Sequence, residues 1–196
     1  MSAMPPRDRL SIRLFDILAA LGGGLAALPL ILVAGALVRM DSPGPALFRQ
    51  ERVGRHGRPF ICLKLRTMSQ GTPVAGTHEV SAAAVTPIGR WLRRLKIDEL
   101  PQLWNVLKGE MSLVGPRPCL PSQHAVIEER RARGVYEVRP GVTGLAQITG
   151  IDMSMPVALA EADSVWAANP NLKDYFSLIL RTASGQGQGD RIREAA

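Results

Sequence analysis

One apolar run dominates the hydrophobic pattern. The 22 residues from Ile17 to Val38 carry no charge and no strongly polar side chain, enough as a helix to cross a bilayer. Shorter periodic stretches follow. Ala46–Gln50 and Pro59–Arg66 alternate apolar and polar around the polar turn Gly54–Gly57, which predicts a β-hairpin. Thr86-Pro87 reads as an N-cap followed by proline at the first helical position, opening a helix with Ile88, Trp91, Leu92 and Leu95 on one face. Its other side is basic, so the apolar face suits either a membrane interface or the protein's own core. Leu100, Leu103, Trp104 and Leu107 keep helical spacing up to a closing glycine, Gly109. Ser122–Arg133 reads as a charged, solvated helix ended by Gly134, and Val138–Ile148 as strand and tight turn. Two more helices are predicted, from Pro156 to Ala168 and from Leu172 to Thr182. In the second, Leu172, Tyr175, Phe176, Ile179 and Leu180 form a broad apolar face. The fold class expected is α+β and mostly helical. Ser69–Val85, poor in large apolar residues, is expected to be a flap-like loop, and the glycine-rich C-terminus a frayed tail.

The flanks of the apolar run narrow its role. Arg7, Arg9 and Arg13 precede it, and Arg39, Arg49, Arg52, Arg55, Arg58, Lys64 and Arg66 follow. A signal peptide fits badly, because the run stays apolar through Ile31–Val38, where cleavage belongs. A straight span places only one flank on the cytoplasmic side, whereas positive charge draws both there. Gly22-Gly23-Gly24 and then Pro29 weaken the middle, since proline removes an amide and crowds the preceding turn. A re-entrant helix broken at Leu28-Pro29 is therefore the expectation, with a straight span and a buried core helix as the alternatives.

The chain has 24 Lys and Arg against 17 Asp and Glu, a formal net charge of +7, so its partners are expected to be anionic: lipid headgroups, phosphorylated small molecules or nucleic acid. The two cysteines, Cys62 and Cys119, have no metal-like or redox spacing and are read as reduced. The three isolated histidines suggest neither a metal cluster nor a His-based triad.

The candidate chemistry lies in Ile97–Pro118, IDELPQLWNVLKGEMSLVGPRP. Asp98 and Glu99 are adjacent, and neighbours on a helix diverge by about 100°. They suit two separate roles better than a shared proton or a glycosidase pair: one as nucleophile or metal ligand, the other as base or support. An ionised Asp attacking a phosphoryl group, with Mg2+ neutralising the anions, is sound phosphoryl-transfer chemistry. Arg117, bracketed by Pro116 and Pro118, suits a stiffly held phosphate ligand. The plainer alternative makes Asp98 the N-cap of the next helix and Glu99 a first-turn carboxylate.

Three blocks carry a resemblance. Lys64-Leu-Arg-Thr-Met68, the run from Asp98 to Pro118, and Arg139-Pro-Gly-Val-Thr-Gly-Leu-Ala-Gln147 resemble the bacterial sugar transferases, in particular the small monotopic phosphoglycosyl transferases of the kind that starts N-glycan assembly in Campylobacter. The likeness runs from about Arg13 to Arg181 in one order. It implies that Asp98 attacks the β-phosphate of a UDP-sugar, releases UMP, and passes the phosphosugar to undecaprenyl phosphate. It also implies Mg2+ as cofactor with Asp98 in contact with it, Glu99 as base or support, and Lys64, Arg93 and Arg117 near the phosphates. The expected layout is a re-entrant membrane helix over residues 1–40, a catalytic domain over 41–185 on the cytosolic face of the bacterial inner membrane, with amphipathic helices at the interface, and a flexible tail over 186–196.

Two departures stand out. The family's break is often Ser-Pro, here Leu28-Pro29. After Gln147 the related pattern Gly-Arg-Asn is replaced by Gly150-Ile-Asp-Met-Ser154, so sugar preference does not carry over, beyond a lean towards an N-acetylated amino sugar. Oligomeric state is not legible. The rival from another class is a non-enzymatic basic protein on a membrane surface or nucleic acid; the resemblance implies no nucleic acid.

Overall fold

The computed structural model describes residues 6–72 and 84–186, with side chains from Leu10 onward. The greater part of the expected flap at Ser69–Val85, and the tail from residue 187, lie outside the described residues. The chain opens with one helix, α1 (Pro6–Asp41), followed by the hairpin β1 (Leu47–Val53) and β2 (Pro59–Leu65). Then come α2 (Pro87–Arg94), a single 3-10 turn (Ile97–Glu99), α3 (Gln102–Lys108), β3 (Ser112–Val114), α4 (His124–Ala132), β4 (Gly141–Thr143), the one-turn α5 (Leu145–Ile148), α6 (Pro156–Ala168) and α7 (Leu172–Ala183). The fold is α+β, with the expected antiparallel hairpin pairing Leu47 with Leu65 and Val53 with Pro59. A second, parallel pair joins β3 to β4.

α1 is helical on both sides of Leu28-Pro29, with Pro29 inside its 36 residues. Proline removes one amide from the ladder, and the bonds on either side suffice to carry the helix past it. At 1.5 Å per residue α1 is about 54 Å long, well beyond the roughly 30 Å of a hydrocarbon core. Ile12, Asp16, Ala20, Ala34 and Val38 are buried, and Gly24, Ala27 and Ile31 half-buried, so one stripe at helical spacing faces the rest of the chain along the helix. The reading of α1 as a buried core helix is overturned. Its apolar window, mean hydropathy 2.3, is only 11% buried, and Leu14, Leu18, Leu21, Leu25, Leu28 and Leu32 are all exposed.

Polar anchors fix α1 near both ends. Arg13 donates to the carbonyls of Val106 (2.6 Å) and Leu107 (3.0 Å), capping the last turn of α3. Asp16, 1% exposed, accepts from the Ser112 hydroxyl (3.0 Å), the Leu113 amide (2.9 Å) and the Tyr175 hydroxyl (2.9 Å). At the other end, Arg66 donates to the carbonyls of Ser42 (2.7 Å) and Pro43, and Asp41 accepts from the Ile88 amide at the start of α2. Apolar packing follows the same division. Ile12 joins Val114, Trp166, Tyr175 and Leu178, whereas Ala34 and Val38 join Leu65 and Leu92.

Thr86 caps α2 as expected, its hydroxyl accepting from the Gly89 amide (3.0 Å). The face predicted on α2 divides: Leu92 is buried, whereas Trp91 (64%) and Leu95 (56%) stand in the open. α7 divides likewise, with Tyr175 and Leu178 inside and Phe176 and Leu180 exposed. α4 is less solvated than its charge implies, because Arg130 is buried against Asp163 of α6. Cys62 and Cys119 are both buried free thiols.

Candidate active site

Asp98 and Glu99 occupy the 3-10 turn between α2 and α3. The turn is entered through Lys96, whose φ of +56° is a left-handed conformation that a side chain disfavours. Asp98 does not cap the next helix. α3 starts at Gln102 behind Pro101, with no side-chain cap, so the N-cap alternative for Asp98 is overturned. The separate turn places the two carboxylates on different cavities, Asp98 on one and Glu99 on another.

Asp98, 6% exposed, lines a cleft of about 740 Å3. Among the described residues lining it, six are basic (Arg39, Arg49, Arg52, Lys64, Arg66 and Arg93) and Asp98 is the one acid. A concave surface with that balance attracts a polyanion, and each guanidinium offers a planar fork to phosphate oxygens. Glu99 bonds two cations. Its Oε1 accepts from Lys64 Nζ (3.0 Å) and from Arg117 Nη2 (2.7 Å). Arg117 lines a second cavity of about 190 Å3, with Lys96, Leu100, Leu103 and Gln147. Lys64 and Arg93 thus share the cleft with Asp98, while Arg117 stands across Glu99 from it.

The positions of these groups are set locally. Lys64 lies on β2, beside Leu63, whose amide donates to Asn105 Oδ1 (3.1 Å); Asn105 Nδ2 donates to the Ile61 carbonyl (2.7 Å). Asn105 thereby completes the edge of β2 from α3. Its burial was not legible from the leucine spacing, which marked Leu100, Leu103, Trp104 and Leu107 as the inner face; Trp104 is 59% exposed. Arg93 is placed by Thr67. Its Nε donates to Thr67 Oγ1 (2.8 Å), and one turn earlier Gly89 packs against the Thr67 backbone, where a Cβ would come within 2.1 Å of the carbonyl oxygen. Thr67, inside the quoted KLRTM block, is the partner of Arg93 that sequence reasoning passed over.

The Pro116-Arg117-Pro118 segment is held by its carbonyls. Pro116 accepts from the Gly141 amide (2.9 Å), Arg117 from Arg130 Nη1 (2.8 Å), Pro118 from Arg52 Nη1 (3.0 Å) and Cys119 from the Val53 amide (3.0 Å). Bulk at Gly115 and Gly141 is excluded, since a Cβ on either would lie within 2.4 Å of backbone. Burial pushes the nearby Cys62 thiol up from its ordinary range, opposed by the Lys64 charge. No group of three or more His, Cys, Asp or Glu side chains that could hold a metal occurs among the described residues.

Comparison with known proteins gives this arrangement a family. The bacterial sugar transferase family profile matches residues 7–187. Over 145 residues the chain is 48% identical to a UDP-glucose:undecaprenyl-phosphate glucose-1-phosphate transferase of Caulobacter vibrioides, covering 71% of this chain and 54% of that protein. It is 41% identical over 140 residues to a UDP-N-acetylgalactosamine-undecaprenyl-phosphate N-acetylgalactosaminephosphotransferase of Aeromonas hydrophila, covering 68% of this chain and 32% of that protein. It is 37% identical over 198 residues to the exopolysaccharide production protein ExoY of Sinorhizobium fredii, covering 92% of this chain and 87% of ExoY. The chain therefore spans about half the length of the Caulobacter protein, but nearly all of ExoY. With the family profile matching almost from end to end, this chain belongs to the bacterial sugar transferase family.

Proposed function

We propose that this protein is a phosphoglycosyl transferase that moves a sugar 1-phosphate from a UDP-sugar to undecaprenyl phosphate, at the cytosolic face of the bacterial inner membrane. One observation carries the reading: a buried carboxylate, Asp98, is, among the described residues, the one acid in a cleft lined by six basic residues. A binding site for a diphosphate needs the cations; a site that also reacts with it needs a nucleophile among them.

In the first step an Asp98 carboxylate oxygen attacks the β-phosphorus. A new P–O bond forms, the bridging P–O bond breaks, and UMP leaves with the bridging oxygen. In the second, an oxygen of undecaprenyl phosphate attacks the same phosphorus and Asp98 is released as a carboxylate. Lys64 and Arg93 hold non-bridging oxygens, and Glu99 keeps Lys64 and Arg117 in register rather than taking a proton. Mg2+ characteristically takes one or two carboxylates and completes its shell with substrate phosphates and water, so Asp98 with the donor diphosphate is a fitting donor set. When bound there, the ion neutralises charge on the diphosphate.

Both ends of α1 are fastened to one domain, and its outer face is apolar. This supports a helix that enters and leaves by one membrane face, since a perpendicular span would draw the charged cleft into lipid. Trp91, Leu95, Trp104, Phe176 and Leu180 are the exposed apolar residues suited to the interface. The relatives' names include both UDP-glucose and UDP-N-acetylgalactosamine, so the donor is assigned as a UDP-sugar without preference. The test is UMP release by purified protein given a panel of UDP-sugars, Mg2+ and undecaprenyl phosphate. UMP from at least one donor supports the reading, and none from any donor sinks it.

A further inference from the structure

The buried ion pair between α4 and α6 lies outside the chemistry above, yet it touches the active-site arginine. Arg130 is 1% exposed. Its Nε and Nη2 both donate to Asp163 Oδ2, at 2.9 and 2.6 Å. The remaining arm, Nη1, donates to the carbonyl of Arg117 at 2.8 Å. The planar guanidinium is thus shared between a carboxylate on one edge and an active-site backbone on the other.

The neighbouring prolines explain why such a tether is useful. Pro116 and Pro118 have no amide hydrogen, so the segment relies on its carbonyls to be held, and donors from β4, α4 and β1 take them in succession. Arg130 is the donor that reaches Arg117 itself. Asp163 occupies two of the guanidinium nitrogens and fixes its plane, which leaves Nη1 a single direction. A lysine has one nitrogen and no fork, so it cannot reproduce both arms. A buried ion pair is not in itself a source of stability, and apolar replacements of similar size are often tolerated.

We infer that the Arg130–Asp163 pair is a positioning device for the active site. It fixes the Arg117 backbone, and through the Arg117–Glu99 bond (2.7 Å) it sets Glu99 and Lys64. The inference rests on the proposed transferase reaction for its kinetic readout. Arg130→Lys keeps Asp163 paired while withdrawing the Arg117 arm, and the double variant Arg130→Met/Asp163→Leu removes the charges altogether. Both are expected to fold, to lower kcat for UMP release by about 10- to 100-fold (roughly 1.4 to 2.8 kcal/mol) and to change the donor KM by less than about threefold.

The decisive comparison uses an Arg117→Ala background. If Arg130 acts through Arg117, adding Arg130→Lys there costs no more than about twofold. A further loss in Arg117→Ala as large as in the wild type, or unchanged turnover when Arg130→Lys is made in the wild type, overturns the inference. Hydrogen exchange gives a readout independent of catalysis: the amides of Gly115, Arg117 and Cys119 should exchange faster in Arg130→Lys. Unchanged exchange overturns the tether even if the wild-type protein releases no UMP. Faster exchange in Arg130→Lys, together with a wild type that releases no UMP, would refute the transferase reading alone.

Discussion

Glu99 neutralises two cations with one oxygen, and that is the part of the site most sensitive to a single atom. Glu99→Gln keeps the shape but removes the negative charge that both Lys64 and Arg117 contact. We expect kcat for UMP release to fall about 100-fold, with a thermal midpoint within a few degrees of wild type; unchanged turnover would make Glu99 a bystander. Cys62 gives a prediction about pH. Its pKa is raised by burial, so as pH rises past the ordinary thiol range the unfolded thiol ionises and the folded one does not. Stability is therefore full below that range and is lost as pH rises through it. A pH series of iodoacetamide labelling should show Cys62 in the folded protein lagging behind the same residue in the denatured chain. Equal rates would contradict the burial. At this scale the sequence was informative about identity and poor about partners. Adjacency suggested separate roles for Asp98 and Glu99, but the pairing of Glu99 with Lys64 joins positions 35 apart, and no local pattern announces it. Arg130 was hidden because its neighbours are charged and solvated, and only the arrival of Asp163 from another helix explains its burial.

Among the elements, α1 separates what composition reveals from what packing decides. Its length and apolarity could be read directly, whereas its continuity through Pro29 could not, because one missing amide in a long helix is a small cost beside the remaining hydrogen bonds. The hairpin, the Thr86 cap and the last two helices were legible for the opposite reason: alternation, cap chemistry and helical spacing are local. β3 was missed because three residues leave no pattern. Asp16 was passed over as a charge beside an apolar run. Replacing it by Leu would leave the Ser112 hydroxyl, the Leu113 amide and the Tyr175 hydroxyl without their acceptor, a cost of about 3–5 kcal/mol. A fall of roughly 10 °C in the thermal midpoint in detergent is expected; a change under 2 °C would mean that α1 is held by its apolar stripe alone.

For the whole molecule, the proposed membrane placement follows from the two anchored ends of α1. Single cysteines introduced by Ser11→Cys and Ser42→Cys, in a variant with Cys62 and Cys119 replaced by serine, should both be shielded from an impermeant maleimide added outside intact cells. Both should label after lysis. Labelling of either one in intact cells would establish a span. The central claim concerns Asp98, and one measurement addresses it most directly. The purified protein is mixed with a UDP-sugar it accepts and Mg2+, without undecaprenyl phosphate, then quenched and analysed by peptide mass spectrometry. The account predicts a burst of UMP equal to the enzyme present, and a sugar-phosphate mass added to Asp98 that disappears when undecaprenyl phosphate is supplied. UMP appearing only with the acceptor, with no adduct on Asp98, would contradict it.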